Sequence, residues 1–333
     1  LHVALFLGSA DLDRLFAGGH VRPRDCIDAV EASFREHGTR DVGVLPRAIL
    51  TADGESPQPR SRALKLSASY MRGSRRMGAS IYSTHFRPGD VDMWIVVFSG
   101  ETGRMHGVLS GKALSLWKTG ATAAVAARHL ARADATRVAL IGTGRYARTQ
   151  LQCLAEVRRI EHLACYSRDP AKRHAFAEWA VSAFPHTEVV AASTAEQAVR
   201  DAGIVVTITT SATPVVEGAW LAPGSHCNAM GQHAPHTREV DTAAMMNARV
   251  VVDAREQAFS EKGEVMLPLA EGAIDEARIA ELGEVVAGRA VGRSSDTERT
   301  VFCSGGTALE YMGLCGMLIE RAHAAGLGQV LDD

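Results

Sequence analysis

One stretch, Thr136 to Gln150 (TRVALIGTGRYARTQ), constrains this chain more than any other. Val138 to Ile141 is a short apolar run rich in β-branched residues, suited to a strand buried on both faces. It passes directly into Gly142-Thr143-Gly144-Arg145-Tyr146-Ala147, and then into a helical pattern with Leu151, Leu154 and Val157 on one face. Strand, glycine turn and helix together make a phosphate-binding unit of the dinucleotide type. Gly142 permits the tight turn, Gly144 lets backbone approach a pyrophosphate, and Ala147 lets the helix pack close to the strand. The helix N-terminus offers N–H groups and the positive end of a dipole to phosphate. The alternative is an ordinary strand-to-helix turn that holds two glycines. The clean strand before it and the βα units after it favour the dinucleotide reading.

Those later units run from 137 onward. Strands are expected at 138–141, 162–166, 187–191, 203–209, 225–230 and 249–253, with helical patterns such as Pro170–Phe184 and Thr194–Arg200 between them. This alternation predicts an α/β fold with a doubly wound parallel sheet of Rossmann type. Upstream the pattern differs. Residues 1–9 read as a strand, Asp11 as the cap of a short helix, and Pro23 to Gly38 as an amphipathic helix. Short extended pieces follow at 47–51, 63–70, 78–83, 92–98 and 105–110, joined by polar turns, which predicts a mostly antiparallel sheet. Ala113 to Ala133 is a long alanine-rich helix leading into the nucleotide domain. Residues 275–282 read as a short helix and Gly306–Gly326 as a long apolar one. With the parallel sheet already complete, the last helix is expected to return to the first domain. The domains are therefore 1–117 with 307–333, an α+β substrate and dimerisation domain, and 118–306, the nucleotide domain.

Composition narrows the function. At 333 residues the chain has room for two domains. A formal net charge of −2 and the lack of a basic run leave no field for nucleic acid or an anionic membrane. None of the six cysteines forms a CxxC pair, and most lie in apolar runs, which reads as a reducing, cytoplasmic chain without disulfides or structural zinc. No apolar stretch reaches spanning length, and the opening LHVALFLGS is too short and lacks the basic flank of a signal peptide.

The expected second strand ends Tyr166-Ser167-Arg168, with Lys172 one turn into the next helix. A cofactor with a free ribose 2′-hydroxyl usually meets an acidic residue about 20 residues past the glycines. A hydroxyl, a guanidinium and an ammonium suit a 2′-phosphate instead, so NADP(H) is preferred and NAD(H) remains possible. The alternative has Arg168 in solvent and Asp169 capping a helix; both can hold together.

Several further segments, in order, carry a resemblance. They are Leu116-Trp-Lys118-Thr119-Gly-Ala; Thr207-Ile208-Thr209-Thr-Ser211 followed by Pro214; Trp220-Leu-Ala-Pro-Gly224; Asn228-Ala-Met230-Gly231; and Arg238-Glu239-Val-Asp241. Next come Gly263-Glu264; Gly283-Glu284 with Gly288 and Gly292-Arg293; and Thr300-Val-Phe302 followed by Ser304-Gly305-Gly-Thr307-Ala308. With the glycine turn, this set resembles the ornithine cyclodeaminase / μ-crystallin family over the whole chain. The resemblance implies a nicotinamide-binding Rossmann domain on a dimerisation domain built from both chain ends, and a homodimer. It implies either cyclodeamination with a recycled NAD or reduction of imino and keto acids. Carried over by position, Thr119, Gly142, Thr143, Gly144, Arg145, Tyr146, Ala147, Ser167, Arg168, Lys172, Thr207, Ile208, Thr209, Ser211, Met230, Ser304 and Gly305 would line the cofactor.

Arg47 matches the family's arginine that grips a substrate carboxylate. Elsewhere the substrate positions depart: the family's lysine falls on Ser80, its second arginine on Lys118, a threonine on Trp94, and an aspartate of the last helix on Tyr311. The two cyclodeaminase carboxylates fall on His233 and near Ser69. Cyclodeamination needs carboxylates to hold a water and move protons. Reduction of C=N needs a cofactor face, an anchor and one proton source. Arg47 and Lys118 can anchor an anion, with Ser80 and Trp94 beside it; His85, His233 or Lys118 can supply a proton, a histidine because it titrates near neutrality. Against these stand ordinary surface or loop roles. His226, His233 and His236 lack the tight spacing of a zinc site, so no metal is expected. The reading is an NADPH-dependent reductase of a small imine, a cyclic ketimine or imino acid. The rivals are a cyclodeaminase and a non-catalytic binder that uses cofactor to shape a ligand pocket.

Overall fold

The computed structural model describes residues 3–39, 41–52, 61–84, 86 and 91–331. Along the chain come β1 (Ala4–Leu7), α1 (Ser9–Ala17), α2 (Pro23–Gly38), β2 (Val42–Thr51), β3 (Ala63–Met71), β4 (Arg76–Thr84), β5 (Val91–Ser99) and β6 (Met105–Ser110). Then follow α3 (Gly111–Leu130), β7 (Arg137–Ile141), α4 (Ala147–Ala155), β8 (His162–Tyr166), α5 (Pro170–Ala183), β9 (Glu188–Ala191), α6 (Ala195–Val199) and β10 (Ile204–Thr207). Next are β11 (His226–Ala229), α7 (Thr242–Met246), β12 (Ala248–Val252), α8 (Arg255–Glu261), α9 (Gly263–Ala270), β13 (Ala280–Glu281) and α10 (Leu282–Val286). The chain ends with β14 (Arg299–Cys303), α11 (Ala308–Ala324) and β15 (Gln329–Leu331). It divides into two units, 1–122 with 306–333 and 123–305, so one division falls inside α3.

The first unit is built on a seven-stranded sheet in the order β15-β1-β6-β5-β4-β3-β2. Only β1 and β6 run parallel; the other neighbours are antiparallel. Strand alternation sorts its side chains cleanly. Met93, Ile95 and Val97 of β5 are buried and share a face with Gly78 and Ser80 of β4, their direct cross-strand partners or next neighbours. Helix α11 covers that face: an added Cβ at Gly78 would sit 3.0 Å from the Met312 sulfur. Gly313 of α11 brings α2 equally close, since a Cβ there would lie 2.5 Å from the Ala29 carbonyl oxygen. On the other face Leu45, Leu50 and Leu64 are exposed, and Leu66, Ile81, Trp94, Val96 and Phe98 are half-buried. Asp11 does not stand at the N-cap of α1 as expected. Gly8 does, and Asp11 sits one turn in, its carboxylate accepting the Gly8 N–H at 3.0 Å.

The second unit holds an eight-stranded sheet, all parallel, in the order β13-β12-β14-β11-β10-β7-β8-β9. The central strands are apolar throughout because helices lie on both faces of such a sheet. Its core includes Ala139, Ile141, Val205, Cys227, Ala229, Val301 and Cys303. The order reverses between β7 and β10, where a doubly wound sheet opens a crevice at its carboxyl end. The strand list is corrected here: β14, unforeseen, lies between β11 and β12, and β13, also unforeseen, lies beyond β12, but both precede α11, so the sheet is complete before that helix as expected. Residues 275–282 are not one helix: a short 3-10 turn (Glu276–Arg278) leads into β13 and then α10.

Candidate functional site

The crevice of the second unit is formed first by the glycine turn. Gly142 has φ +106°, and a Cβ there would lie 2.5 Å from the Ile208 carbonyl oxygen at the end of β10. Only glycine fits that conformation and that approach. Gly144 has nothing within 4 Å of its virtual Cβ, which leaves open ground over the N-terminus of α4. Ala147 is fully buried, as close helix packing requires. Arg145 is exposed, with its guanidinium 5.9 Å from the Tyr146 ring. These residues fit a pyrophosphate: a cradle without side chains and a helix N-terminus beside it.

At the end of β8 the Thr143 hydroxyl donates to Ser167 Oγ at 2.8 Å, and Ser167 in turn donates to the Asp169 carbonyl. Asp169 caps α5, accepting the N–H groups of Ala171 and Lys172, and its carboxylate lies 3.6 Å from the Lys172 ammonium. The Lys172 backbone N–H leads the causes that hold the Asp169 carboxyl below its usual range. Arg168 is exposed. Ser167 and Arg168 stand at the strand end, and Lys172 lies in the first turn of α5 against Asp169.

On the other side of the switch point, the ends of β10 and β11 are tied to a buried charge cluster that the sequence reading quoted in part but assigned no role. Glu239 accepts the Thr209 N–H at 2.6 Å, the Gly231 N–H at 2.6 Å and the Thr207 hydroxyl at 2.9 Å. Glu264 accepts the Glu239 N–H at 2.8 Å and lies 3.3 Å from Lys262, whose ammonium donates to the Gln232 carbonyl at 2.5 Å. Glu239, Lys262 and Glu264 have no solvent exposure. Burial and then Glu264 raise the Glu239 carboxyl, with Lys262 and the Thr209 bonds opposing. Burial lowers Lys262, but Glu264 and the other acids around it outweigh that and raise it. Thr207 therefore turns its hydroxyl into the protein rather than toward a ligand. Ser211 and Thr209 fold on themselves, Ser211 donating to the Thr213 carbonyl and its N–H to Thr209 Oγ1. Met230 is buried. Ser304 is committed to Asp253 at 3.0 Å, and Gly305 packs against Glu261 and Gln257.

In the first unit Arg47 donates to the Gly306 carbonyl at 2.9 Å. Lys118 is buried beside Gly306, with its ammonium 3.4 Å from Glu310 and 5.2 Å from the Tyr311 ring centre. Glu310 also accepts the Thr307 N–H and hydroxyl and the Thr122 hydroxyl. Thr119 is half-buried on the same helix, α3. Ser80 is buried and shares a 2.8 Å hydroxyl hydrogen bond with Ser67. Trp94 is not brought to them. It lies opposite Ile81 on the other face of the sheet, tilted against Phe6 with ring centres 5.5 Å apart. Its neighbours Met93 and Ile95 face α11, so alternation turns Trp94 away from Ser80.

His233 is exposed on the loop after β11 in the second unit, and His85 lies outside the described residues. His226 is a fully buried strand residue, its ring bonded to Thr300 and Asn228. Burial, with Asn228 opposing it, brings its pKa down to about 3. Among the described residues no group of histidines, cysteines and carboxylates could hold a metal ion. All six cysteines are free and buried, and burial raises the Cys227 and Cys303 thiols. No described helix is long and apolar enough to cross a membrane.

Comparison with known proteins agrees with this geometry. The sequence profile of the ornithine cyclodeaminase/mu-crystallin family matches residues 17–326. A Delta(1)-pyrroline-2-carboxylate reductase of Bacillus cereus is 37% identical over 234 residues, 70% of this chain and 71% of that protein. The solved Thermococcus litoralis Delta(1)-pyrroline-2-carboxylate reductase, in complex with NADH and L-proline, is 30% identical with a TM-score of 0.89, covering 98% of this chain and 100% of that one. An archaeal alanine dehydrogenase dimer with bound NAD is 26% identical with a TM-score of 0.88, over 99% of each chain. The chain belongs to the ornithine cyclodeaminase/mu-crystallin family.

Proposed function

We propose that this protein is a nicotinamide-dependent reductase of a small imine, a cyclic ketimine or the imine of a 2-oxo acid, with NADPH as the preferred reductant. The observation that carries it is the cradle of Gly142 against Ile208 with open ground above Gly144, at the point where the sheet order reverses. Relatives named for reduction of a C=N bond support the substrate class. The bound nicotinamide would supply the hydride. The chain's own work is to hold and to protonate: Arg47 and Lys118 take the acid group, and a histidine or water gives the proton to nitrogen.

The preference for NADPH rests on Ser167, the exposed Arg168 and Lys172 at the end of β8, where the neighbouring acid, Asp169, is committed to capping α5. Cyclodeamination is less well served. Its carboxylate positions fall on His233 and near Ser69, and Glu310, the acid beside Lys118, is already committed to Thr307, Thr122 and Lys118. The purified protein should oxidise NADPH, and NADH more slowly, with a panel of cyclic imines, or with 2-oxo acids plus ammonia or methylamine. Ammonia release from ornithine without any net change in reduced cofactor would establish the cyclodeaminase instead. Cofactor binding without turnover on any of them would leave the binder.

The partner reading is a second copy of this chain. Leu45, Leu50 and Leu64 are 50%, 71% and 43% exposed on a single sheet face, beside half-buried Ile81, Val96 and Phe98. Contiguous apolar area of this kind is a protein interface more often than bare surface. Light scattering should give twice the chain mass, and Leu50→Glu should shift the protein toward monomer.

A further inference from the structure

The buried cluster behind the ends of β10 and β11 does something the glycine turn cannot. We propose that Glu239 is a positioning residue for the nicotinamide end of the cofactor, and that its negative charge favours the oxidised, cationic ring over the neutral reduced one. The inference rests on the nicotinamide reading above and deepens it.

The geometry runs from the carboxylate outward. Glu239 draws in the N–H groups of Thr209 and Gly231, the first residues past Ile208 and Met230. In a trans peptide the N–H and C=O point in opposite directions. Fixing those two N–H groups inward therefore turns the Ile208 and Met230 carbonyls away from Glu239, and the Ile208 oxygen is the one that meets Gly142. Gly231 must be glycine for this: its virtual Cβ would lie 2.6 Å from the carboxylate and closer still to the Thr209 carbonyl. The carboxylate and the carbonyl ends of both peptides thus present negative potential on the β10–β11 side of the switch point. That is the side opposite Ser167 and Arg168, which stand at the end of β8. A dinucleotide laid across such a switch point with its ribose phosphate at β8 has its nicotinamide toward β10 and β11.

The charge is only partly offset nearby, since two buried carboxylates, Glu239 and Glu264, share one ammonium. Lys262 is the counter-ion within reach, but it is spent on Glu264 and the Gln232 carbonyl. Glu239 is held instead by neutral donors, two N–H groups and the Thr207 hydroxyl. All three charged side chains are out of solvent, so their field is weakly screened. Such a charge acts on one redox form only, because reduction removes the ring's positive charge. Favouring the oxidised form also makes the bound reduced form a better hydride donor.

The test is a binding ratio, not a rate. NADPH and NADP+, and separately NADH and NAD+, are titrated by calorimetry into the wild-type protein, Glu239→Gln and Glu264→Gln. Circular dichroism checks that each variant is folded. In Glu239→Gln the ratio of the oxidised to the reduced dissociation constant should rise about fivefold or more. Glu264→Gln keeps the oxygen that accepts the Glu239 N–H and releases Lys262 toward Glu239. It should move the ratio the same way, and it keeps the idea testable if Glu239→Gln does not fold. A cluster that only scaffolds the loops would change both constants by one factor; that outcome, or a ratio that falls, overturns the proposal. If the wild-type protein binds neither form, the nicotinamide reading fails first and this inference goes with it. Binding of both forms with an unmoved ratio defeats this inference alone.

Discussion

The Lys118 ammonium lies 3.4 Å from the Glu310 carboxylate, with the lysine side chain 7% exposed and the glutamate fully buried. This pair joins α3 to the first turn of α11, where Glu310 also closes the cap with Thr307. Removing one member leaves the other charged and out of water, which costs more than the pair itself contributes. Lys118→Met should therefore destabilise the protein by about 3 kcal/mol in urea unfolding. Lys118→Met combined with Glu310→Gln should recover at least half of that loss. A single-variant loss below about 1 kcal/mol would mean that Glu310 is satisfied by its hydroxyl and N–H donors alone.

Arg168 is exposed at the end of β8, beside the hydroxyl pair Thr143 and Ser167. A guanidinium there has no reason to distinguish NADH from its absence, but it can form charge-assisted hydrogen bonds to a 2′-phosphate. Arg168→Ala should weaken NADPH binding about tenfold or more while changing NADH binding less than about twofold. Equal loss for both cofactors, in fluorescence titrations, would place Arg168 outside the phosphate site.

The parallel strands β7, β8 and β10 were legible because a strand buried on both faces reads as an unbroken apolar run, whatever it pairs with. The strand β14 has the same character, Thr300-Val301-Phe302-Cys303, yet its place between β11 and β12 depends on chain more than forty residues distant, which local pattern does not encode. Trp94 shows a second limit. Alternation says that Trp94 and Ile95 face opposite ways, but not which face carries α11, so the sequence reading put Trp94 beside Ser80. The glycine turn between β7 and α4 was legible because its glycines are dictated by backbone geometry. The Glu239 cluster was not, since Glu239 and the Lys262-Gly263-Glu264 segment look like ordinary surface charges until the fold buries all three charged groups together.

Arg158 closes the C-terminal end of α3. Its guanidinium donates to the carbonyls of Ala127, Arg128, Ala131 and Arg132 at 2.8, 3.2, 2.9 and 3.0 Å. The Arg128 carbonyl is among the last of α3, that of Ala127 also accepts the Ala131 N–H, and Ala131 and Arg132 lie just past the helix, where a cation meets the negative end of the dipole. Burial, then the charge of Arg128, holds the Arg158 pKa below its usual value. Arg158→Ala should cost about 2–3 kcal/mol of unfolding free energy. Arg158→Lys should recover less than half, because an ammonium cannot span four carbonyls as a planar fork does. Full recovery by lysine would show that charge alone, not geometry, closes the helix.

His226 sets an acid limit on the second unit. Its ring is fully buried between Thr300 and Asn228, and burial above all depresses its pKa to about 3. The native state therefore keeps the imidazole neutral at pH values where the unfolded chain, with an ordinary histidine pKa near 6.5, already binds a proton. Stability rises with pH wherever the unfolded state holds more protons. The contribution is thus complete above about pH 6.5 and is lost as pH falls toward 3, by about 5 kcal/mol in all. Urea unfolding at stepped pH should show this slope, steepest in relation to the wild type when compared with His226→Gln, which keeps polar atoms for Thr300 and Asn228 but cannot titrate. Parallel wild-type and variant curves between pH 6.5 and pH 4 would show that His226 accepts its proton without unfolding, and that acid sensitivity arises elsewhere.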